Sequence, residues 1–416
     1  MSELRTANVF GRRSFLMKTQ CVEIALTVTG GHLAPVIFFP QEAHPIQPYA
    51  IAPWWSEPLD PAIPPLLATL RGDFFCSAFG SANAGQSAGR MLPPHGETAN
   101  GMWHAMGHGS STSGCWLQLG MELSAQGGHC HAVTALLAGH PVIYQRHDLS
   151  RLTGPINPGH HATLALPAVP GAGRLSFSRL KCAFTYPEPL ERAETGGRSV
   201  LEPDVEITDL HHVPCTDGSL TDLARYPARR GFEDLAILCA DPTLELAWSA
   251  VTFPEQGYVW FSLRDPRWLS CTLLWFSNGG RDYPPWNGRH INVMGVEDMT
   301  GYFDMGLAAS CRRNRLTERG VRTALYPDEE GGIFIPYIQG VARIPHGFDR
   351  VAAIEAPRAE DRIFLRADSG IEITFPCHAE FLKTGQIPQL PHLPPAPRGV
   401  RRALTNIHYS GNKCEY

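Results

Sequence analysis

Three stretches of this 416-residue chain crowd polar, aromatic and glycine residues together where core packing would not ask for them. The first runs Leu92-Pro-Pro-His95-Gly96-Glu97-Thr-Ala-Asn100-Gly-Met-Trp103, the second Asn157-Pro-Gly-His160-His161-Ala-Thr-Leu-Ala-Leu166. The third is Trp286-Asn287-Gly-Arg289-His290-Ile-Asn-Val-Met-Gly-Val-Glu297-Asp298. Imidazoles and carboxylates are the groups suited to moving protons on and off a reacting oxygen, each transfer typically contributing about 10²–10⁴-fold in rate. Glu297 follows the apolar positions Ile291, Val293 and Val296, an unusual place for a carboxylate. Partial burial there raises a carboxyl pKa towards the working pH, which suits a base that must also return its proton. Trp103, Trp275 and Trp286 offer apolar ring faces to a small ligand. Arg281 and Arg289 flank a Gly- and Pro-rich loop from which they could reach a phosphate or carboxylate.

Each of these residues also has a plainer reading. Glu297 could be an ion-paired carboxylate at a strand end, His161 a satisfied core histidine, and His95 a shaper of its turn. Arg71 could simply pair with Asp73, and the tryptophans could only pack. Eighteen histidines invite a metal, through His95-x-Glu97 with His104 or through His129-x-His131. Neither cluster follows the cupin order of His-x-His, then Glu, then a later His, so no metal is expected.

The elements that must position these groups read as strands. Val22 to Thr29 alternates and closes on Gly30-Gly31, and Phe74–Phe79 is the next candidate. Trp116–Leu123, Thr163–Leu166, Leu175–Ser178, Leu235–Cys239 and Ala247–Thr252 recur between turn clusters. Val259–Leu263 and Ser270–Phe276 are rich in aromatic and β-branched residues, and strands continue through Val341–Thr374. Residues 40–66, dense in Pro and Trp, read as an irregular covering loop, with a short helical turn at Leu66–Leu70. Forty Gly and 36 Pro spread along the chain fit frequent turns. The expected fold is mostly β: one large antiparallel sandwich over residues 1–386 with few short helices. Residues 387–416 form a Pro-rich tail packed on its surface.

Net charge is −5 and no long basic run occurs, which argues against nucleic acid. Eleven cysteines without a C-x-x-C read as reduced thiols in a cytoplasmic protein rather than a disulfide framework. Arg12-Arg13-Ser14-Phe15-Leu16-Met17-Lys18 has the form of a twin-arginine export motif. The uncharged apolar stretch that should follow is interrupted by Thr19, Gln20 and Glu23. No run of about 20 apolar residues could span a membrane. Neither a P-loop nor a GxGxxG fingerprint occurs, and no organic cofactor is implied.

Taken in order, the three segments resemble the galactose mutarotase-like (aldose 1-epimerase-like) superfamily over roughly residues 20–380. The Leu92–Trp103 segment is similar to the family's His-Gly segment followed by a Trp. The Asn157–Leu166 segment resembles the strand start whose histidine supplies the general acid; His161 fits better than His160, which stays a substitute. The Trp286–Asp298 segment is similar to the late strand carrying the catalytic glutamate, here Gly295-Val296-Glu297. Arg71 stands where the family often places a sugar-binding arginine. The family's sugar-binding aspartate has no assigned position, Asp204 and Asp209 being the candidates.

The resemblance implies a supersandwich and a small carbohydrate partner, phosphorylated or acidic if Arg281 or Arg289 serves it. It implies an isomerase in which Glu297 and His161 open and reclose a sugar ring. His95, Arg71, Trp103, Trp286, His160, Arg289, Glu97 and Asn100 would contact the sugar. Two other classes stay open: a non-catalytic carbohydrate-binding protein on the same fold, and a metal-dependent cupin-like enzyme.

Overall fold

The computed structural model describes residues 4–81, 86–87, 90–327, 332–357 and 360–396. Two large antiparallel sheets face each other. One has six strands in the order Leu180–Thr185, Glu233–Ala240, Cys271–Ser277, Val293–Met299, Gly159–Ala165 and Phe75–Cys76. The other has nine, centred on Tyr258–Arg264, Ile333–Arg343 and Val142–Ser150. A four-stranded sheet (Thr6–Val9, Arg12–Lys18, Val22–Thr27, Leu33–Phe38) and a three-stranded one (Val351–Glu355, Arg362–Ala367, Glu372–Pro376) flank them. The mostly-β antiparallel sandwich expected from the sequence is the fold found, and helices are few and short.

Strands in the middle of both large sheets are buried along their whole length, as in Val293–Met299 and Cys271–Ser277. Each has a core on one face and a covered surface on the other, so each reads as a near-continuous apolar run. The interior between the sheets also holds buried polar groups, the most densely bonded of them around Asp298. Asp298 pairs there with Arg264 at 2.7 Å and accepts hydrogen bonds from Thr272 at 2.7 Å, Ser249 and Tyr337 at 3.1 Å, and Ser262. Bonding of this density is what makes a buried carboxylate tolerable.

Several boundaries differ from the sequence reading. Phe74–Phe79 is a strand only at Phe75–Cys76. Beyond it the chain leaves the ladder, and Phe79 bonds Asn157 instead. His104–Ser111, His129–Leu137 and Val142–Ser150 are strands that their His, Gly and Arg content concealed. The helical turn near Leu66–Leu70 is a helix at Pro65–Thr69, started by its proline. Arg12–Lys18 is a paired strand. Ile387, Leu390 and Leu393 are buried, and Arg146 donates to the carbonyls of Gly385, Pro394 and Pro395. Residues 397–416 lie outside the described residues. No helix among the described residues is long and apolar enough to cross a membrane.

Candidate active site

The outer face of the six-stranded sheet carries the chemistry. Gly159–Ala165 and Val293–Met299 run antiparallel with His161 directly opposite Glu297. Side chains directly opposite in adjacent strands lie on one face and in reach of each other. His161 Nε2 comes within 3.3 Å of Glu297 Oε1. The alignment is not that of a hydrogen bond, and among the described residues Glu297 Oε1 is buried with no other partner. On the far side of the ring, His161 Nδ1 is 3.2 Å from Thr163 Oγ1. Phe74 stacks on the imidazole at 4.5 Å and 18°.

His95 approaches from a separate loop. A turn closed by Gly96 N–H donating to the Pro93 carbonyl holds His95 at φ 60° and Gly96 at φ 79°. Left-handed backbone at a histidine is uncommon and persists only where the surroundings enforce it. The His95 ring meets His161 edge-on at 4.9 Å and Phe79 at 5.1 Å.

Burial moves all three groups towards their uncharged forms. It pushes the Glu297 carboxyl well above the usual carboxylate range, and the negative charge of Asp304 adds to that. Burial, then the neighbouring His95, lowers His161 well below the usual imidazole value. Burial takes His95 down to about 3, with His32 contributing. Burial therefore favours a protonated carboxyl beside a neutral imidazole.

These groups open into a cavity of about 790 Å³. Its size suits a small organic ligand. Pro64, Leu66 and Leu70, at the end of the Pro-rich segment, form one wall, and Trp275 and Trp286 form another. Trp275 is pinned by its indole N–H donating to Glu233 at 2.9 Å, and His290 stacks behind it at 5.3 Å. Trp54 braces Trp286 edge-on at 4.8 Å. Arg281 enters from the loop, bonds Glu191 at 2.6 Å and lies 4.6 Å from the centre of the Trp286 ring. Asp304 accepts from the Ser81 hydroxyl, while its Oδ1 is buried without a partner among the described residues.

Of the residues singled out from the sequence, the cavity gathers Glu297, His161, His95 and Trp286, together with Trp275 and Arg281. The others lie elsewhere. Arg71 is 1% exposed, and its guanidinium is spent on the carbonyls of Thr69, Val9 and Phe10. Trp103 is core, its N–H donated to the Thr98 carbonyl. His160 points between the sheets, 2.9 Å from Asp73 and stacked on Tyr337 at 4.0 Å. Arg289 forms a two-pronged ion pair with Glu57. Glu97 caps the backbone N–H groups of Ala125 and Gln126, and Asn100 donates to the Pro94 and Gly96 carbonyls. Those two residues line a different, surface groove. Asp204 pairs with Arg315, and Asp209 with His212.

Tyr186, Glu191, Tyr283 and Asp304 line the cavity although no sequence signal marked them. They sit in loops whose only local signature is turn composition. Among the described residues no three His, Cys, Asp or Glu side chains converge as a metal-ligand set. In the His95-x-Glu97 pair, one residue faces the cavity and the other the Ala125 backbone.

No protein-family model matches the chain, and no curated protein matches it either. Solved structures do. A candidate aldose 1-epimerase from Escherichia coli K12 superposes with a TM-score of 0.53 at 13% identity, covering 79% of this chain and 98% of that one. A candidate mutarotase from Salmonella typhimurium gives 0.53 at 12% identity, over 82% and 94% of the two chains. A candidate aldose 1-epimerase from Klebsiella pneumoniae gives 0.54 at 12%, over 80% of each. At such identities the likeness concerns the fold, which is galactose mutarotase-like.

Proposed function

We propose that this chain of galactose mutarotase-like fold is an aldose 1-epimerase-like isomerase, interconverting the anomers of a sugar held in the cavity. The observation that carries the reading is the Glu297–His161 pair, register partners 3.3 Å apart at the floor of an aromatic-walled cavity. Anomer exchange needs one group to remove the proton of the anomeric hydroxyl and another to protonate the ring oxygen. As those protons move, the bond from the anomeric carbon to the ring oxygen breaks and the anomeric oxygen becomes a carbonyl. The open chain rotates, the ring hydroxyl attacks the other face of the carbonyl, and each group reverses its role.

In this reading Glu297 is the base and His161 the acid. The uncharged pair reaches that state by one internal proton transfer, carboxyl to imidazole, with no change in net charge. Nδ1–H donating to Thr163 Oγ1, whose own hydroxyl lies towards the His161 carbonyl, would hold the proton of the neutral ring on Nδ1 and leave Nε2 free to take the proton of the carboxyl. His95 supplies a hydrogen bond to a sugar hydroxyl, and Trp275 or Trp286 meets the C–H face of the ring.

The test is NMR exchange or polarimetry on a panel of free aldoses with wild type and Glu297→Gln. Faster exchange by wild type, lost by at least about 10²-fold in the variant, is expected. No acceleration of any aldose by folded protein would sink the enzyme reading. A non-catalytic sugar-binding protein would instead keep its affinity in Glu297→Gln and accelerate nothing.

A further inference from the structure

The charge of the cavity is one-sided. Among the described residues that line it, the carboxylates of Asp60, Glu191 and Asp304 face a single guanidinium, Arg281, beside a Glu297 that burial holds towards its uncharged form. That guanidinium is already committed. It bonds Glu191, lies over Trp286, and has the buried Glu233 carboxylate as a second negative neighbour. Arg289, the other arginine of the loop, is held by Glu57. A phosphate or carboxylate on a ligand would therefore meet no free cation among these residues and would face several carboxyl groups.

Acceptors, by contrast, are left over. Among the described residues, Glu297 is 2% exposed and its Oε1 has no hydrogen-bond partner; Asp304 Oδ1 is buried and likewise meets none, the carboxylate otherwise having the Ser81 and Tyr186 hydroxyls beside it. Buried acceptors without donors are costly, so they favour the ligand that brings donors to them. A donor that also carries positive charge makes the stronger bond. Carboxylate-lined clefts concentrate cations, and tyrosine and tryptophan faces attract them. Tyr186, Tyr283 and Trp275 supply such faces here.

We infer that the substrate is an aldose carrying a protonated amino group, received by Asp304 beside the Glu297–His161 pair, and that sugar phosphates and uronic acids are excluded. The inference rests on the sugar-binding reading above and names its substrate class.

Calorimetric binding tests it, with glucosamine and galactosamine against glucose, galactose, N-acetylglucosamine, glucose 6-phosphate and glucuronate, at a pH where the amine is protonated. The amino sugars should bind at least tenfold tighter than the neutral sugars, and the anionic sugars weakest. Asp304→Asn should abolish the preference for the amino sugars over the neutral ones. Glu191→Gln, which frees Arg281, should raise affinity for glucose 6-phosphate even if the Asp304 variant folds poorly. Equal affinity for glucose and glucosamine, or tighter binding of an anionic sugar by wild type, overturns the inference. Anomer exchange measured in parallel separates the two claims: amino-sugar preference without acceleration leaves the substrate class standing and removes the isomerase reading.

Discussion

Gly295 and Glu297 share one face of the strand Val293–Met299, and a β-carbon on Gly295 would stand 2.1 Å from Glu297 Oε1. It would also stand 3.0 Å from Trp275 Cβ. The missing side chain is therefore the room in which the carboxyl lies. Gly295→Ala should push that carboxyl off its line with His161. Misplacing a reacting group by about 1 Å can cost about 10²-fold. Overpacking at such a site costs typically about 1–3 kcal/mol. Anomer exchange should thus fall about 10²-fold in a protein that still melts cooperatively; full activity in the variant would remove Glu297 from the mechanism.

Stability should depend on pH through Glu297. Its folded pKa lies above the ordinary value of 4.5, so the protonated carboxyl is the form the fold favours. The stabilisation tied to that form is complete below about pH 4.5 and is lost as pH rises through the folded pKa. Glu297→Gln, uncharged at every pH, should melt above wild type at pH 8, with the gap closing towards pH 4. Calorimetric melting across that range checks it, and a pH-independent gap would contradict the burial argument.

His95 works in the opposite direction. Its folded pKa is about 3 against an ordinary 6.5, so the fold holds it neutral. Stability is present above pH 6.5 and is lost as pH falls, because the unfolded chain takes up the proton first. At pH 5 that loss is about 2 kcal/mol. His95→Gln should keep about that much more of its neutral-pH stability at pH 5. Urea unfolding of both proteins at pH 7 and pH 5 measures it.

The polar layer between the sheets makes a further prediction. Arg264 and Asp298 are both almost wholly buried and 2.7 Å apart. Removing one partner leaves a buried charge uncompensated, a loss of about 3–5 kcal/mol. Arg264→Leu should be destabilised by that order in denaturant titration. Adding Asp298→Asn should recover part of the loss; a further full loss in the double variant would mean that the two act independently.

How far the site was legible follows from what each residue depends on. Glu297 stands out because a carboxylate at the end of an apolar strand needs a reason, and the strand itself is local. The pair His160-His161 shows the limit. Neighbouring residues in a strand point to opposite faces, but Gly159–Ala165 is buried on both faces nearly throughout. Without an exposed side there is no polar–apolar alternation to say which histidine meets the cavity. Arg71 fails for a different reason: two of the carbonyls that occupy it, Val9 and Phe10, belong to a segment about 60 residues away. Glu97 and Asn100 have the right chemistry but are used up in bonding backbone.

The class of fold was legible along the chain, since alternation and turn chemistry act over a few residues. So were the groups that could move protons, since that is a property of residue type. Which of them meet is set by the packing of distant segments. The Glu297–His161 contact comes from the register of two strands more than a hundred residues apart. The walls of the cavity come from loops whose sequences carry no period. Pairing with Glu57 and Glu191 decides what Arg289 and Arg281 have left to offer a ligand. Such contacts depend on long-range packing, and no local pattern encodes them.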